Sequence, residues 1–381
     1  MHLARDILLA VAGTYLVVIT LVSVVRSTIL PRGVRSPIAG FVYGTTRLLF
    51  RLRAGRSATY ARRDRVMAMY GPVALLLLLS TWYLLLIVAF TALFLATGVP
   101  SLEDAFKVSG SAVFTLGTSV SPKLGPDVLT YVEAGLGLLV LTLLITYLPT
   151  MYSVFSSRES AVARLQVRAG TPPTATTLLI RYYRIGLTGR LSELWQQWEE
   201  WFAALEESHT SFPIIGFFRS PQPDQSWVTA AGTVLDGASL WASSIEHPND
   251  PDVQLCIRAG FVALRRLASF FNLSYEGDPD PSDPITISRQ EYDDACQTLA
   301  DAGLPLRADR DAAWQAFRGW RVNYDTVLLN LARLMEAPIA PWTSDRSPLG
   351  GEKQWSWRRV FRLGRSTDSP QWWRRRDASE G

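Results

Sequence analysis

The sequence predicts an all-α membrane protein: three spanning helices, a short re-entrant helix between the second and third, and a helical cytoplasmic domain. Three observations predict it. Long uncharged apolar runs recur in the first 155 residues. Beyond Thr174 the apolar residues recur three and four apart, the period of an α-helix facing a core. No stretch shows strand alternation, and no internal repeat is visible. With 48% apolar and 19% charged residues, the 381-residue chain is too hydrophobic to be disordered throughout. Two cysteines, Cys256 and Cys296, exclude a disulfide-stapled scaffold. His2, His209 and His247 are too scattered to form a zinc site with them.

Crossing the hydrocarbon core takes about 20 mostly apolar residues. Ile7 to Val25 is the first such run, in an N-terminal segment of residues 1–30. It is followed by Arg26-Ser-Thr-Ile-Leu-Pro-Arg32 rather than a small-residue cleavage site, so it reads as a retained anchor. Residues 31–70 are an Arg-rich segment. Ten arginines and one acid, Asp64, lie between Arg26 and Arg65, which places this segment in the cytoplasm and the N-terminus outside. Within it, Ile38, Phe41, Val42, Leu48, Leu49, Phe50 and Leu52 mix with Arg47, Arg51 and Arg53. That pattern suits an amphipathic helix on the inner leaflet, or a linker packed on the soluble domain.

Val73 to Val99 is the second run, and Leu129 to Phe155 the third, interrupted only by Glu133. The second runs outward and the third inward, because Arg158, Arg164 and Arg168 follow the third. The protein is thus expected in the cell membrane, multi-pass, with its C-terminal domain cytoplasmic.

Between these two runs lies Ser101-Leu-Glu-Asp-Ala-Phe-Lys-Val-Ser-Gly-Ser-Ala-Val-Phe-Thr-Leu-Gly-Thr-Ser-Val-Ser-Pro122. Ser101 with Asp104 three residues on has the form of a capping box, so a helix begins there. Ala105, Val108, Ala112 and Val113 make that helix apolar, and it is too short to span. The stretch Thr115-Leu116-Gly117-Thr118-Ser119 follows it directly. Backbone at membrane depth must line water or be buried in protein. Carbonyl oxygens there, at the negative end of a helix dipole, suit a cation.

This arrangement resembles the pore-loop family of tetrameric potassium channels from about Tyr70 to Ser157, in a domain of residues 71–157. The family filter reads Thr-Val-Gly-Tyr-Gly, often followed by Asp. Thr115, Leu116 and Gly117 match its first three positions; Thr118, Ser119 and Val120 depart from the rest. The resemblance implies a homotetramer passing a monovalent cation, potassium in the first place or sodium, with Thr115, Leu116, Gly117, Thr118 and Ser119 as the filter. The departures imply weaker selectivity than the family norm, or a non-conducting relative that senses or scaffolds through its cytoplasmic domain. The inner helix carries the hinge and gate positions, Gly135, Gly137 and Pro149. Gly135 and Gly137 also permit close helix packing. Thr142, Thr146 and Tyr147 are candidates to face a water-filled cavity. Asp127 suits the outer mouth. Glu133 either hydrogen-bonds behind the filter or is solvated at the interface.

Residues 158–340 read as a helical domain of four to six helices: Leu178–Glu207, Trp227–Ile245, Val253–Phe271, Ser288–Leu299 and Asp309–Glu336. Ser288 with Glu291 forms a second capping-box pattern. There is no Gly-x-Gly-x-x-Gly after a strand and no P-loop, so no nucleotide-binding motif supports a cofactor. Asp278, Asp280 and Asp283 lie among prolines without the central glycine of a calcium loop and read as a solvated linker. The aromatic segment His209 to Pro221 reads as loop packing, with a ligand or subunit contact as the alternative. No nucleophile–base pair appears, so neither an enzyme, a cofactor, a metal beyond the permeant cation, nor nucleic acid is expected. Residues 341–381 interleave Trp355, Trp357, Trp372 and Trp373 with arginines and read as a disordered tail suited to anionic lipid.

Overall fold

The structure, a computed structural model, describes residues 2–30, 36–55, 59–117, 124–248 and 250–349. It is all-helical, and among the described residues the only β pairing is an isolated bridge between Ile245 and Leu306. Helices α1 (His2–Thr28), α2 (Pro37–Ala54), α4 (Tyr70–Ala96), α5 (Leu102–Val113) and the first part of α6 (Leu124–Ala169) form one compact unit. Helix α3 (Tyr60–Ala68), α6 from Val154 onward and the helices that follow it form another. Three helical stretches are long and apolar enough to cross a membrane: Leu3–Thr28, the stretch ending at Ala96, and Leu124–Ala169.

In the first unit α1 packs antiparallel along α4. A Cβ on Gly13 would lie 2.7 Å from the Ala89 carbonyl, while Trp82 Nε1 donates to Ser23 Oγ at 3.0 Å. Rising numbers on α1 thus meet falling numbers on α4. Ser23 and Ser36 hydroxyls lie 2.7 Å apart, and Ser36 is the N-cap of α2, with Pro37 following it. Helix α2 turns Tyr43 and Arg47 inward. The Tyr70 hydroxyl donates to the Tyr43 carbonyl at 3.1 Å, and the Arg47 guanidinium lies over the Tyr70 ring. The apolar residues Phe41, Leu48, Leu49 and Leu52 point outward instead. That is the reverse of a helix covering a soluble core.

In the second unit α9 (Trp227–Ser244) is buried along its length except at Ala242. Small residues let neighbours approach it closely. A Cβ on Gly260 of α10 (Pro251–Phe270) would lie 2.4 Å from Leu235 Cδ2. Helices α7 (Ala175–Arg184), α8 (Leu191–Ser211), α11 (Arg289–Asp301), α12 (Arg310–Arg321) and α13 (Asp325–Met335) complete the unit. Two helices expected as continuous are each broken. Leu178–Glu207 divides at Gly186, whose φ of 72° is unfavourable for other residues. Asp309–Glu336 divides between Arg321 and Asp325, so the unit has more helices than the expected four to six.

The break after Arg321 serves a buried ionic cluster. Arg321 pairs with Asp236 and, at 2.7 Å, with Asp325; its Nη2 donates to the Trp342 carbonyl at 2.7 Å. Tyr324 donates to Asp236 at 2.9 Å, and the Thr286 hydroxyl donates to Asp325 at 2.7 Å. Burial works against the Arg321 charge, but the two carboxylates outweigh it and hold the guanidinium protonated.

Part of the tail expected to be disordered from residue 341 packs on the second unit. Thr343 is fully buried against Gly232, and Arg346 pairs with Glu291 at 2.7 Å. That ion pair and the Ser288 cap hold the Glu291 carboxyl down at about 2. The Trp/Arg-rich remainder lies outside the described residues.

Candidate functional site

The segment between α4 and α6 forms a capped short helix wedged between two antiparallel long ones. Ser101 accepts from the Asp104 amide at 3.0 Å and its hydroxyl donates to the Asp104 carboxylate at 2.7 Å, starting α5. The helix closes in a Schellman cap: Leu116 N–H donates to Ser111 O at 2.8 Å and Thr115 N–H to Ala112 O at 2.9 Å. Thr115 therefore takes the left-handed position, with φ 54°, where a β-branched residue is strained by ~1 kcal/mol. Gly117 follows with φ 68°. Thr115, Leu116 and Gly117 are all exposed. Thr118 and Ser119 lie outside the described residues.

The wedge is fixed to both long helices. The Ser109 hydroxyl on α5 donates to Glu133 Oε1 on α6 at 2.6 Å and lies 3.1 Å from the Ile87 carbonyl on α4. Glu133 is fully buried, so its carboxyl sits behind the short helix and not at a solvated interface. Its second oxygen has no hydrogen-bond partner among the described residues. The Tyr83 hydroxyl donates to the Gly137 carbonyl at 3.0 Å, and the Tyr83 ring stacks on Phe114 at 5.3 Å. Gly137 is where α6 meets the end of α5: a Cβ there would lie 2.3 Å from the Val113 carbonyl. A Cβ on Gly135 meets nothing within 4 Å. The two glycines thus differ in role, a distinction the sequence does not carry. Asp127 lies in the first turn of α6, partly exposed.

At 3.6 residues per turn, Glu133, Gly137, Val140, Tyr147 and Met151 form the buried stripe of α6. Tyr147, a candidate for a wet cavity, is packed in that stripe. Thr142, Thr146 and Thr150 occupy the opposite, exposed face. Two of these hydroxyls have local partners: Thr146 donates to Leu143 O at 2.9 Å and Thr150 to Thr146 O at 3.0 Å. Pro149 lies on the same side, and α6 continues through it.

Within the second unit the continuation of α6 is gripped by the turn Pro213–Phe217 and its flanks. Arg158 donates to Ile215 O at 3.0 Å, to Phe218 O at 3.1 Å and to His209 Nε2 at 3.0 Å. An arginine only donates, so Nε2 accepts and the imidazole proton sits on Nδ1, 3.1 Å from Ser208 Oγ. Burial pushes His209 well below its ordinary range, and the Arg158 charge pushes the same way. Arg219, at the end of the same segment, lies 3.5 Å from Asp64 of α3 and donates to Glu336 O at 2.6 Å. One segment thus holds both α3 and α6. The aromatic loop is loop packing with this added grip, which joins residues too far apart in sequence to be foreseen.

No metal-binding cluster of His, Cys, Asp or Glu occurs among the described residues. Cys256 and Cys296 are buried free thiols. Comparison with protein-family models, with curated proteins and with solved structures finds no match.

Proposed function

We propose that the chain is one subunit of a homotetrameric pore-loop cation channel of the cell membrane. The observation that carries this reading is the α4–α5–α6 hairpin: a capped short helix wedged between antiparallel apolar helices, ending in an exposed stretch, Thr115 to Gly117, with positive φ at Thr115 and Gly117. Four copies about an axis would close a ring of these stretches. The carbonyls from Thr115 to Ser119 would replace part of the ion's water, and the negative end of the α5 dipole favours a cation there. Potassium is the first candidate ion and sodium the second. The threonine stripe of α6 faces away from its own subunit, where a water-filled path needs polar groups. In this reading Gly135 and Pro149 lie on the moving part of α6, and Asp127 concentrates cations at the mouth. Helix α2 rests its outward apolar face in the inner leaflet.

A second reading, a non-conducting relative acting as sensor or scaffold, is favoured by Thr118, Ser119 and Val120, where the resemblance fails. Cysteine accessibility separates the two. With Thr146→Cys, a charged membrane-impermeant thiol reagent should react and reduce flux at least several-fold, whereas Ile145→Cys, off the stripe, should be inert. Equal reactivity at the two positions, or none at Thr146→Cys, removes the pore assignment of that face.

A further inference from the structure

At the foot of α6 a cleft of about 450 Å³ opens between the last turn of that helix, α7 and the turn Thr188–Arg190 that leads into α8. That volume is in the range of small-ligand sites. Its polar lining is cationic. Arg168 comes from α6, Arg181 from α7 and Arg190 from the turn, against the single carboxylate of Glu193. Arg190 is held by Glu193 at 2.8 Å. Arg181 donates to the Val167 carbonyl, in the last turn of α6 where helix carbonyls lack partners within the helix. Among the described residues Arg168 makes no hydrogen bond or ion pair, and the Tyr182 hydroxyl makes no hydrogen bond. The convergence is visible at Tyr182: burial raises its phenol, and both Arg168 and Arg190 are near enough to pull it back down. The rest of the wall includes Ile185, 64% exposed, with Leu187 and Leu194.

We propose that this cleft binds a phosphorylated small molecule of mononucleotide size, its phosphomonoester held by Arg168, Arg181 and Arg190 and its ring laid on Ile185, Leu187 and Leu194. Three guanidinium groups against one carboxylate leave two positive charges uncompensated, which matches a phosphomonoester of about −1.5 to −2 at neutral pH. The planar fork of arginine fits phosphate oxygens in pairs. The apolar wall needs more than a bare anion to cover it. The three arginines stand on three different elements, so the bound anion ties the end of α6 to α7 and to the turn before α8. Any effect of that tie on a gate rests on the channel reading; the binding does not. The same phosphate chemistry comes from a free nucleotide or from a phosphorylated lipid headgroup.

The test is calorimetric titration of the full-length protein in phosphatidylcholine nanodiscs with AMP and GMP, with adenosine and inorganic phosphate as partial ligands. A second arm uses nanodiscs containing a phosphoinositide. One of the two mononucleotides should bind, inorganic phosphate more weakly and adenosine not at all. Bound nucleotide should slow hydrogen exchange of the amides of residues 160–169. Arg168→Gln should weaken binding at least tenfold with an unchanged melting midpoint, because Arg168 makes no hydrogen bond or ion pair among the described residues. If the phosphoinositide slows the same amides and the nucleotides do not, the headgroup is the source, and Arg168→Gln should abolish that effect. The proposal is overturned if neither source binds, or if binding is unchanged in both Arg168→Gln and Arg190→Gln. Binding without any cation flux would leave this site standing and remove the channel reading.

Discussion

Substituting Gly137 by alanine perturbs the structure at the seat of the short helix. A Cβ there would lie 2.3 Å from the Val113 carbonyl oxygen, and 3.2 Å from both the Val113 carbonyl carbon and Cγ2. Cβ atoms do not approach neighbours closer than 3.0 Å, so α5 or α6 must give way by at least 0.7 Å, the difference between those two distances. The obstacle is backbone and cannot rotate aside. Overpacking of this kind costs about 1–3 kcal/mol. The displaced group is the last residue of α5, so the strain passes directly to Thr115, Leu116 and Gly117. Gly135→Ala provides the control. It meets open space, and alanine gains up to ~1 kcal/mol of helix propensity over glycine. Thermal unfolding of the detergent-solubilised protein and cation flux in liposomes should both fall for Gly137→Ala. Gly135→Ala should hold or raise the melting midpoint. A Gly137→Ala protein that melts and conducts like the wild type would refute the reasoning, because it would mean that α5 does not rest on α6 there.

Two further outcomes follow from buried groups in the second unit. Arg321→Met leaves Asp236 and Asp325 buried without their cation, and should cost about 3–5 kcal/mol in denaturant unfolding followed by tryptophan fluorescence; a loss under about 1 kcal/mol would contradict the assigned network. His209 is held below its unfolded value of about 6.5, so the unfolded chain binds the extra proton first. Its share of stability is therefore complete above about pH 6.5 and falls by up to ~1.4 kcal/mol per pH unit below it. His209→Gln, which keeps an acceptor for Arg158, should flatten that acid limb of the melting profile, and an unchanged limb would refute the assignment.

What the sequence made legible was governed by local chemistry. The three helices long and apolar enough to cross a membrane followed from apolar runs broken only by Glu133, and α5 from Ser101 and Asp104 at capping distance. The Ser288–Glu291 capping box was legible for the same reason, and both its bonds are present. What the sequence hid depends on partners distant along the chain. Arg158 and His209 are 51 residues apart, and Arg321 and Asp236 are 85 apart. The inward turn of Arg47 could not be read from the sequence, because its reason is the Tyr70 ring on another helix. Gly135 and Gly137 look alike in sequence, and only the approach of Val113 separates them. Thr115 could be read as following the short helix directly, while its left-handed backbone emerged only from the Schellman bonds that close α5. The helix breaks at Gly186 and after Arg321 were masked by apolar spacing that stays in register across each break.

The central claim is that Thr115 to Ser119 forms an ion path, and cation flux into liposomes containing the purified full-length protein tests it most directly. Potassium and sodium are compared for the wild type and Gly117→Asp. A Cβ on Gly117 meets nothing within 4 Å among the described residues and its φ is 68°, so the substitution disturbs the ion path and the local backbone without striking the α5–α6 contact. The account predicts flux in the wild type, loss of that flux in Gly117→Asp at an unchanged oligomeric state, and a potassium preference weaker than the family norm. Flux that survives Gly117→Asp, or no flux from a well-folded tetramer, would contradict it.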